Sequence, residues 1–146
     1  AFIFWPYNSG LIDEKHIKKL KESKLEKICA LSHCPPMKNS NKDYYKQIYA
    51  NLNILKKMFK EVLLIHGHMH PKETYKYNLK NLKGITIISP KSDDTEEGIG
   101  SYNNIVELDT KSGKIRVLDL NLKEVKIKRL PDKYYLLDKH WNDFDL

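Results

Sequence analysis

Histidines follow short apolar runs at two places in this chain of 146 residues. His33 comes just after the run 28–31, and three further histidines begin directly after the run 62–65. Each run is long enough for a buried strand and too short for a typical helix. The histidines are therefore predicted at strand ends, where α/β proteins gather functional residues. Because neutral imidazole is a common ligand of transition metals, the pattern predicts a metal site.

The second group of histidines contains a glycine. Gly67 stands between His66 and His68, and His70 follows after one residue. Because glycine has no side chain, we expect it to permit a tight turn that brings His68 and His70 close to a ligand. On an extended strand these two rings would share a face, whereas on a turn they can face two different ions. A chance cluster of surface histidines is the alternative interpretation.

Both histidine segments resemble motifs of the calcineurin-like metallophosphoesterases. Residues 33–36, His-Cys-Pro-Pro, are similar to the family's His-x-Pro-Pro segment, and residues 67–70, Gly-His-Met-His, are similar to its Gly-His-x-His motif. One strong helical pattern lies between them, as it does in the family. The resemblance runs from Phe2 to about Leu130, so we interpret 1–130 as the C-terminal half of such a domain.

The resemblance implies a metal-dependent phosphoesterase that hydrolyses phosphate monoesters or diesters at a dinuclear centre. His33 and His68 would bind one divalent ion and His70 the other, with Mn, Fe or Zn as the expected metals. Two ions about 3.5–4 Å apart activate water and clamp the phosphoryl group. The family's Gly-Asp-x-x-Asp and Gly-Asn-His motifs are absent from the sequence. The bridging carboxylate and the catalytic histidine are therefore expected from an N-terminal half or an oligomeric partner.

Two residues beside these ligands are candidates for the second shell. The family motif does not require histidine at His66, so we expect a packing or outer role there. Cys34 stands where the family commonly has another residue type, and direct metal ligation is its less favoured interpretation. Cys29 is predicted to be a small buried apolar residue. Two cysteines form no disulfide framework, which favours a reduced, cytoplasmic setting.

The remaining polar clusters have plainer interpretations. His16 falls in a lysine-rich helix and is expected on its solvated face. Asp138 and His140 match the form of the family's Asp-x-His motif, but we interpret them as a coincidence within 131–146, a tail whose role is unassigned. The acidic residues of the segment 90–100 are expected to form a solvated loop.

Composition narrows the class of protein. Apolar residues make up 40% of the chain and charged residues 31%, which suits one globular domain and not a disordered chain. Its apolar runs are all much shorter than the roughly 20 residues that span a bilayer, so no membrane segment is expected. The net charge of +7 is compatible with small phosphoesters or nucleic acid as substrates. Because the lysines are spread along the chain, a dedicated nucleic-acid-binding module is less favoured than a phosphoesterase or a non-catalytic scaffold with an incomplete metal site.

Periodicity predicts a β-α-β-α-β order followed by a β-meander, and hence an α/β fold. Crossover helices imply parallel strands in the first half, and hairpins imply antiparallel strands in the second. The resemblance implies more, namely a β-sandwich flanked by helices in four layers, with only its C-terminal half present. Helices are predicted at 13–23 and 43–59, and strands at 2–5, 27–31, 62–65, 74–77, 85–89, 104–108, 114–120 and 124–128.

Overall fold

The computed structural model describes residues 1–5, 10–92 and 103–130. Most of the predicted acidic loop and the whole 131–146 tail, with Asp138 and His140, lie outside these ranges. The elements in chain order are β1 (Phe2–Trp5), α1 (Glu14–Glu22), β2 (Lys27–Ser32), α2 (Asp43–Met58), β3 (Glu61–His66), β4 (Tyr75–Tyr77), β5 (Ile85–Ser89), β6 (Ile105–Leu108), β7 (Ile115–Leu118) and β8 (Lys128–Arg129).

The main sheet has six strands in the order β1-β2-β3-β5-β4-β8. Strands β1, β2, β3 and β5 are parallel, β4 is antiparallel to β5, and β8 is parallel to β4. Strands β6 and β7 form a separate antiparallel hairpin, as predicted. These elements confirm the α/β class.

Two predictions about the second half of the chain were wrong. Strand β5 is parallel to β3, because it lies between β3 and β4 in the sheet and the chain reverses direction between β4 and β5. The strand predicted at 124–128 is reduced to the two-residue β8, and Glu124 makes only an isolated bridge with Leu118.

Helix α2 covers one face of the parallel strands. Its predicted apolar period is confirmed, since Tyr45, Ile48, Leu52 and Leu55 are all buried. The alternating side chains of β2 and β3 that point to the same face are buried beneath it. Burying a leucine side chain contributes about 1.5–3 kcal/mol, so this layer holds the two strands side by side.

Helix α1 is held in place partly by a polar contact from α2. Its N-cap is Asp13, whose carboxylate accepts the backbone N–H of His16 at 2.8 Å. The buried Asn51 accepts the backbone N–H of Ile12 at 2.9 Å and donates to the carbonyl of Gly10 at 3.0 Å. The segment leading into α1 is thus tied to α2. No helix within the described ranges is both long and apolar enough to cross a bilayer.

Candidate metal site

The two histidine segments leave the sheet from neighbouring strands. Ser32, the last residue of β2, pairs with His66, the last residue of β3. The backbone N–H of Gly67 then donates to the carbonyl of Ser32 at 3.3 Å, so the two connections start together. Because the strands are parallel, both connections lie at the same edge of the sheet, the usual place of a site in this fold class.

This arrangement brings His33 and His68 into contact. Their ring centroids are 5.2 Å apart with the rings nearly perpendicular, and Nε2 of His33 lies 3.2 Å from Nδ1 of His68. The predicted convergence of these two residues is therefore present. His16 lies elsewhere, exposed on α1, with its ring paired to Asp13.

Within residues 1–5, 10–92 and 103–130, the cluster suited to holding a metal ion consists of His33, Cys34 and His68, whose ligand atoms all lie within 4.8 Å of one another. His33 is exposed, His68 is half-buried and Cys34 is only 3% exposed. The hydroxyl of Ser32 donates to the carbonyl of Cys34 at 2.7 Å and fixes the bend after β2. The cluster thus combines the buried sulfur of Cys34 with the solvent-exposed imidazole of His33.

The geometry of these donors fits a tetrahedral ion. Two nitrogens that each lie about 2.05 Å from such an ion are about 3.3 Å apart, close to the 3.2 Å between His33 and His68. A nitrogen and a thiolate sulfur around the same ion are about 3.6 Å apart, so the Cys34 sulfur, which lies within 4.8 Å of both nitrogens, would join after moving by at most about 1.2 Å. Three protein ligands leave one position for water or substrate.

The turn after β3 differs from the expected one. The backbone N–H of Met69 donates to the carbonyl of Gly67 at 2.9 Å, across His68 with φ 70°. This is a γ-turn with a left-handed central residue, a rare and strained form. Gly67 itself does not have a left-handed φ, and a Cβ there would lie 3.5 Å from the His33 carbonyl, an ordinary contact. The predicted turn is present, but its unusual backbone conformation lies at His68 and not at Gly67.

The rest of the turn is anchored by burial. Met69 is fully buried in the core, between the half-buried His68 and His70, and so anchors the turn. His70 is half-buried and also has a positive φ, 46°. It is not part of the cluster of His33, Cys34 and His68, and its predicted role as a ligand of a second ion stays a prediction. A strained backbone conformation persists only where the surrounding structure holds it in place. Such conformations are often found at functional sites.

His66 lies beneath this turn and is buried. Its Nδ1 lies 2.8 Å from the carbonyl of Gly67, and its Nε2 lies 2.7 Å from the hydroxyl of Tyr77 in β4. A carbonyl can only accept, so Nδ1 carries the proton and Nε2 accepts the tyrosine hydroxyl. Burial lowers the pKa of His66 to about 4, despite the opposing effect of the Gly67 carbonyl, and raises the pKa of Tyr77 well above its usual value. His66 is therefore a neutral support for the turn.

Two supporting residues were missed by the analysis of the sequence. Tyr77 reaches His66 from β4, and Tyr45 of α2 lies against His68 with ring centroids 5.8 Å apart. Tyr45 had a signal, its helical spacing, but that spacing indicates only burial. Tyr77 had none, since the position of β4 in the sheet depends on pairing with distant strands.

No family model matches the chain, and neither a curated protein nor a solved structure is significantly similar to it.

Proposed function

We propose that this chain supplies histidine ligands to a metal-dependent phosphoesterase that hydrolyses phosphate monoesters or diesters. The proposal is supported above all by the 3.2 Å between the ring nitrogens of His33 and His68 at the ends of two adjacent parallel strands. His70, two residues further on, would serve a second ion. The four-layer metallophosphoesterase fold, of which this chain would form one half, belongs to the same proposal.

Each residue has a distinct part in this proposal. His33 and His68 would hold a divalent ion such as Zn, Fe or Mn between the two strand ends, while His66 and Tyr77 fix the turn that carries His68. The ion would supply Lewis-acid chemistry toward a phosphoryl oxygen. Exposure of His33 leaves the site open to a substrate, and the net charge of +7 attracts anionic esters, whether small molecules or nucleic acid.

Turnover needs groups that the cluster does not contain. A bridging carboxylate and a general acid or base are required for the dinuclear mechanism, and the three clustered side chains are two imidazoles and a thiol. In this proposal they come from an N-terminal half of the domain or from a partner subunit. The same composition of the cluster favours the second candidate, a binding or scaffold piece that holds a metal without catalysing a reaction.

Metal binding by the 146-residue chain is the first test. Calorimetry with Zn²⁺ should show one tight site that His68→Ala weakens by about 100-fold or more, because loss of an outer partner alone costs about 10–100-fold. The control is His16→Ala, which removes an exposed ring on α1 that is not part of the cluster. Absence of binding by the unaltered chain would contradict the proposal.

Hydrolysis is the second test. The metal-loaded chain alone should cleave aryl phosphate monoesters and diesters slowly or not at all. Addition of a chain that supplies the missing carboxylate and catalytic histidine should give activity that His68→Ala abolishes. Metal binding without activity in that complex would favour the scaffold function.

A further inference from the structure

Cys34 shares the cluster with the two histidines although its position in the sequence suggested only a supporting role. Its ligand atom lies within 4.8 Å of those of His33 and His68. The side chain is buried at the end of β2, where Ser32 holds the backbone of Cys34 through its hydroxyl. A thiol at this distance from two imidazole nitrogens is a potential metal ligand, in addition to its packing in the core.

The chain also contains a matched thiol that is not in the cluster. Cys29 lies in β2 and is buried to almost the same degree. Burial raises the pKa of Cys29 to about 11, which describes an inert structural thiol. The two cysteines therefore differ in their neighbours and not in their exposure, since Cys34 stands next to the contacting imidazoles.

We propose that Cys34 is a thiolate ligand, so that His33, Cys34 and His68 form a mononuclear site with two nitrogen donors and one sulfur donor. This inference rests on the metal site of the proposed function and extends it to the choice of metal. Thiolate with imidazole suits zinc and other borderline-soft ions, whereas Mn²⁺ favours oxygen ligands. The site therefore takes Zn²⁺ or Co²⁺ in preference to Mn²⁺, and it does so within this chain, without His70.

Binding at this site converts the Cys34 thiol to a thiolate. The S–H bond breaks, its proton passes to solvent buffer, and the sulfur lone pair is donated to the ion; no electron is transferred. The imidazoles of His33 and His68 bind through the nitrogens that now lie 3.2 Å apart, both unprotonated in the complex. The fourth position stays open toward solvent on the exposed side of His33.

Cobalt is the most direct probe, because thiolate bound to Co²⁺ gives a charge-transfer band in the near ultraviolet. Titration of the 146-residue chain with Co²⁺ alone should produce this band. The Cys34→Ser variant should lose it and bind Co²⁺ about 100-fold or more weakly, while Cys29→Ser should keep both the band and the affinity. Circular dichroism checks that each variant is folded.

A second measurement needs no variant. X-ray absorption of the Zn²⁺-loaded chain should show one sulfur at about 2.3 Å and nitrogens at about 2.0 Å from the metal. A metal shell without sulfur, or Co²⁺ affinity that is equal in the chain and in Cys34→Ser, would overturn the thiolate inference and leave the histidine site standing. Failure of the unaltered chain to bind either ion would overturn both this inference and the proposed metal site.

Discussion

The carbonyl oxygen of Gly67 is the point on which the candidate ligand turn depends. It accepts one hydrogen bond from the backbone of Met69 and another from the ring of His66. The first closes the γ-turn that carries His68, and the second ties this turn to the buried core. Because His66 in turn accepts from Tyr77, this tyrosine of β4 helps to set the position of His68.

Removing the Tyr77 hydroxyl should loosen this support. Tyr77→Phe leaves Nε2 of the buried His66 without its donor, at a cost of about 1–3 kcal/mol in the free energy of unfolding. Urea denaturation measures the loss. The matched control is Tyr49→Phe, which removes the hydroxyl of a half-buried tyrosine on α2. Equal losses in both variants would show that the hydrogen bond to His66 does not contribute to the free energy of unfolding beyond the effect of removing a tyrosine hydroxyl elsewhere.

The buried, neutral His66 also predicts a pH dependence. Its pKa is about 4 in the folded chain and about 6.5 in an unfolded one, so the unfolded chain binds more protons between these values. The contribution of His66 is therefore complete above about pH 6.5 and is lost as pH falls to about 4, by about 3 kcal/mol in total.

Urea denaturation at a series of pH values, with a chelator present, measures this loss. His66→Gln keeps a neutral donor and acceptor but cannot titrate, so its stability should fall less over the same range. Parallel curves for the two proteins would contradict the low pKa.

At the scale of elements, helix α2 has two structural roles. Its apolar face packs on the strands that lead to the cluster, and Asn51 on the same helix holds the segment before α1 through Ile12 and Gly10. A single buried amide thus connects the two crossover helices. Gly10 has a φ of 75°, which glycine adopts without steric cost, and this lets its carbonyl reach Asn51.

Asn51→Ala should therefore lower the free energy of unfolding by more than the substitution of an exposed asparagine does. It removes the partner of the half-buried Ile12 N–H and of the half-buried Gly10 carbonyl, and each such group costs up to about 1–3 kcal/mol, the value for full burial. Asn53→Ala, on the exposed side of the same helix, is the control and should change stability by about 0.5 kcal/mol or less. Thermal denaturation compares the two, and equal melting temperatures would contradict the role of Asn51.

Sequence patterns predicted the elements better than their connections. The bounds of α2 agree within one residue, because the period of its buried side chains depends on local geometry alone. The approach of His33 to His68 also followed from the sequence, since both come after strands joined by one crossover helix. The contact of Tyr77 with His66 could not follow, because it requires β4 to pair with β5 in one particular direction. The left-handed φ of His68 contradicts the usual preference for glycine.

At the scale of the whole molecule, the two faces of the sheet differ. Helix α2 covers one face, whereas the first strand presents Phe2 and Phe4 on the other, 61% and 67% exposed. Among the described strands, β1 is also an edge of the six-stranded sheet. Exposed apolar side chains on an edge strand favour association with another chain or segment.

We therefore expect the 146-residue chain to associate in a concentration-dependent way. Phe4→Lys places a charge on the exposed face of β1 and should shift the population toward monomer. Leu122→Lys is the control, because Leu122 is 69% exposed but lies in the connection between β7 and β8 and not on β1. Light scattering coupled to size-exclusion chromatography gives the mass of each. A monomer at every concentration would contradict this expectation.

The pairing of Ser32 with His66 has a consequence for any ion held at the strand ends. Sliding β2 along β3 by one residue would displace His33 by about 3.3 Å, whereas ligand distances tolerate only about 0.2 Å. The absorption spectrum of a bound ion such as Co²⁺ would therefore report on the register of β2 and β3. It would be lost after a shift of one residue. Such a signal would report on the pairing of two central strands long before helix content or overall size had changed.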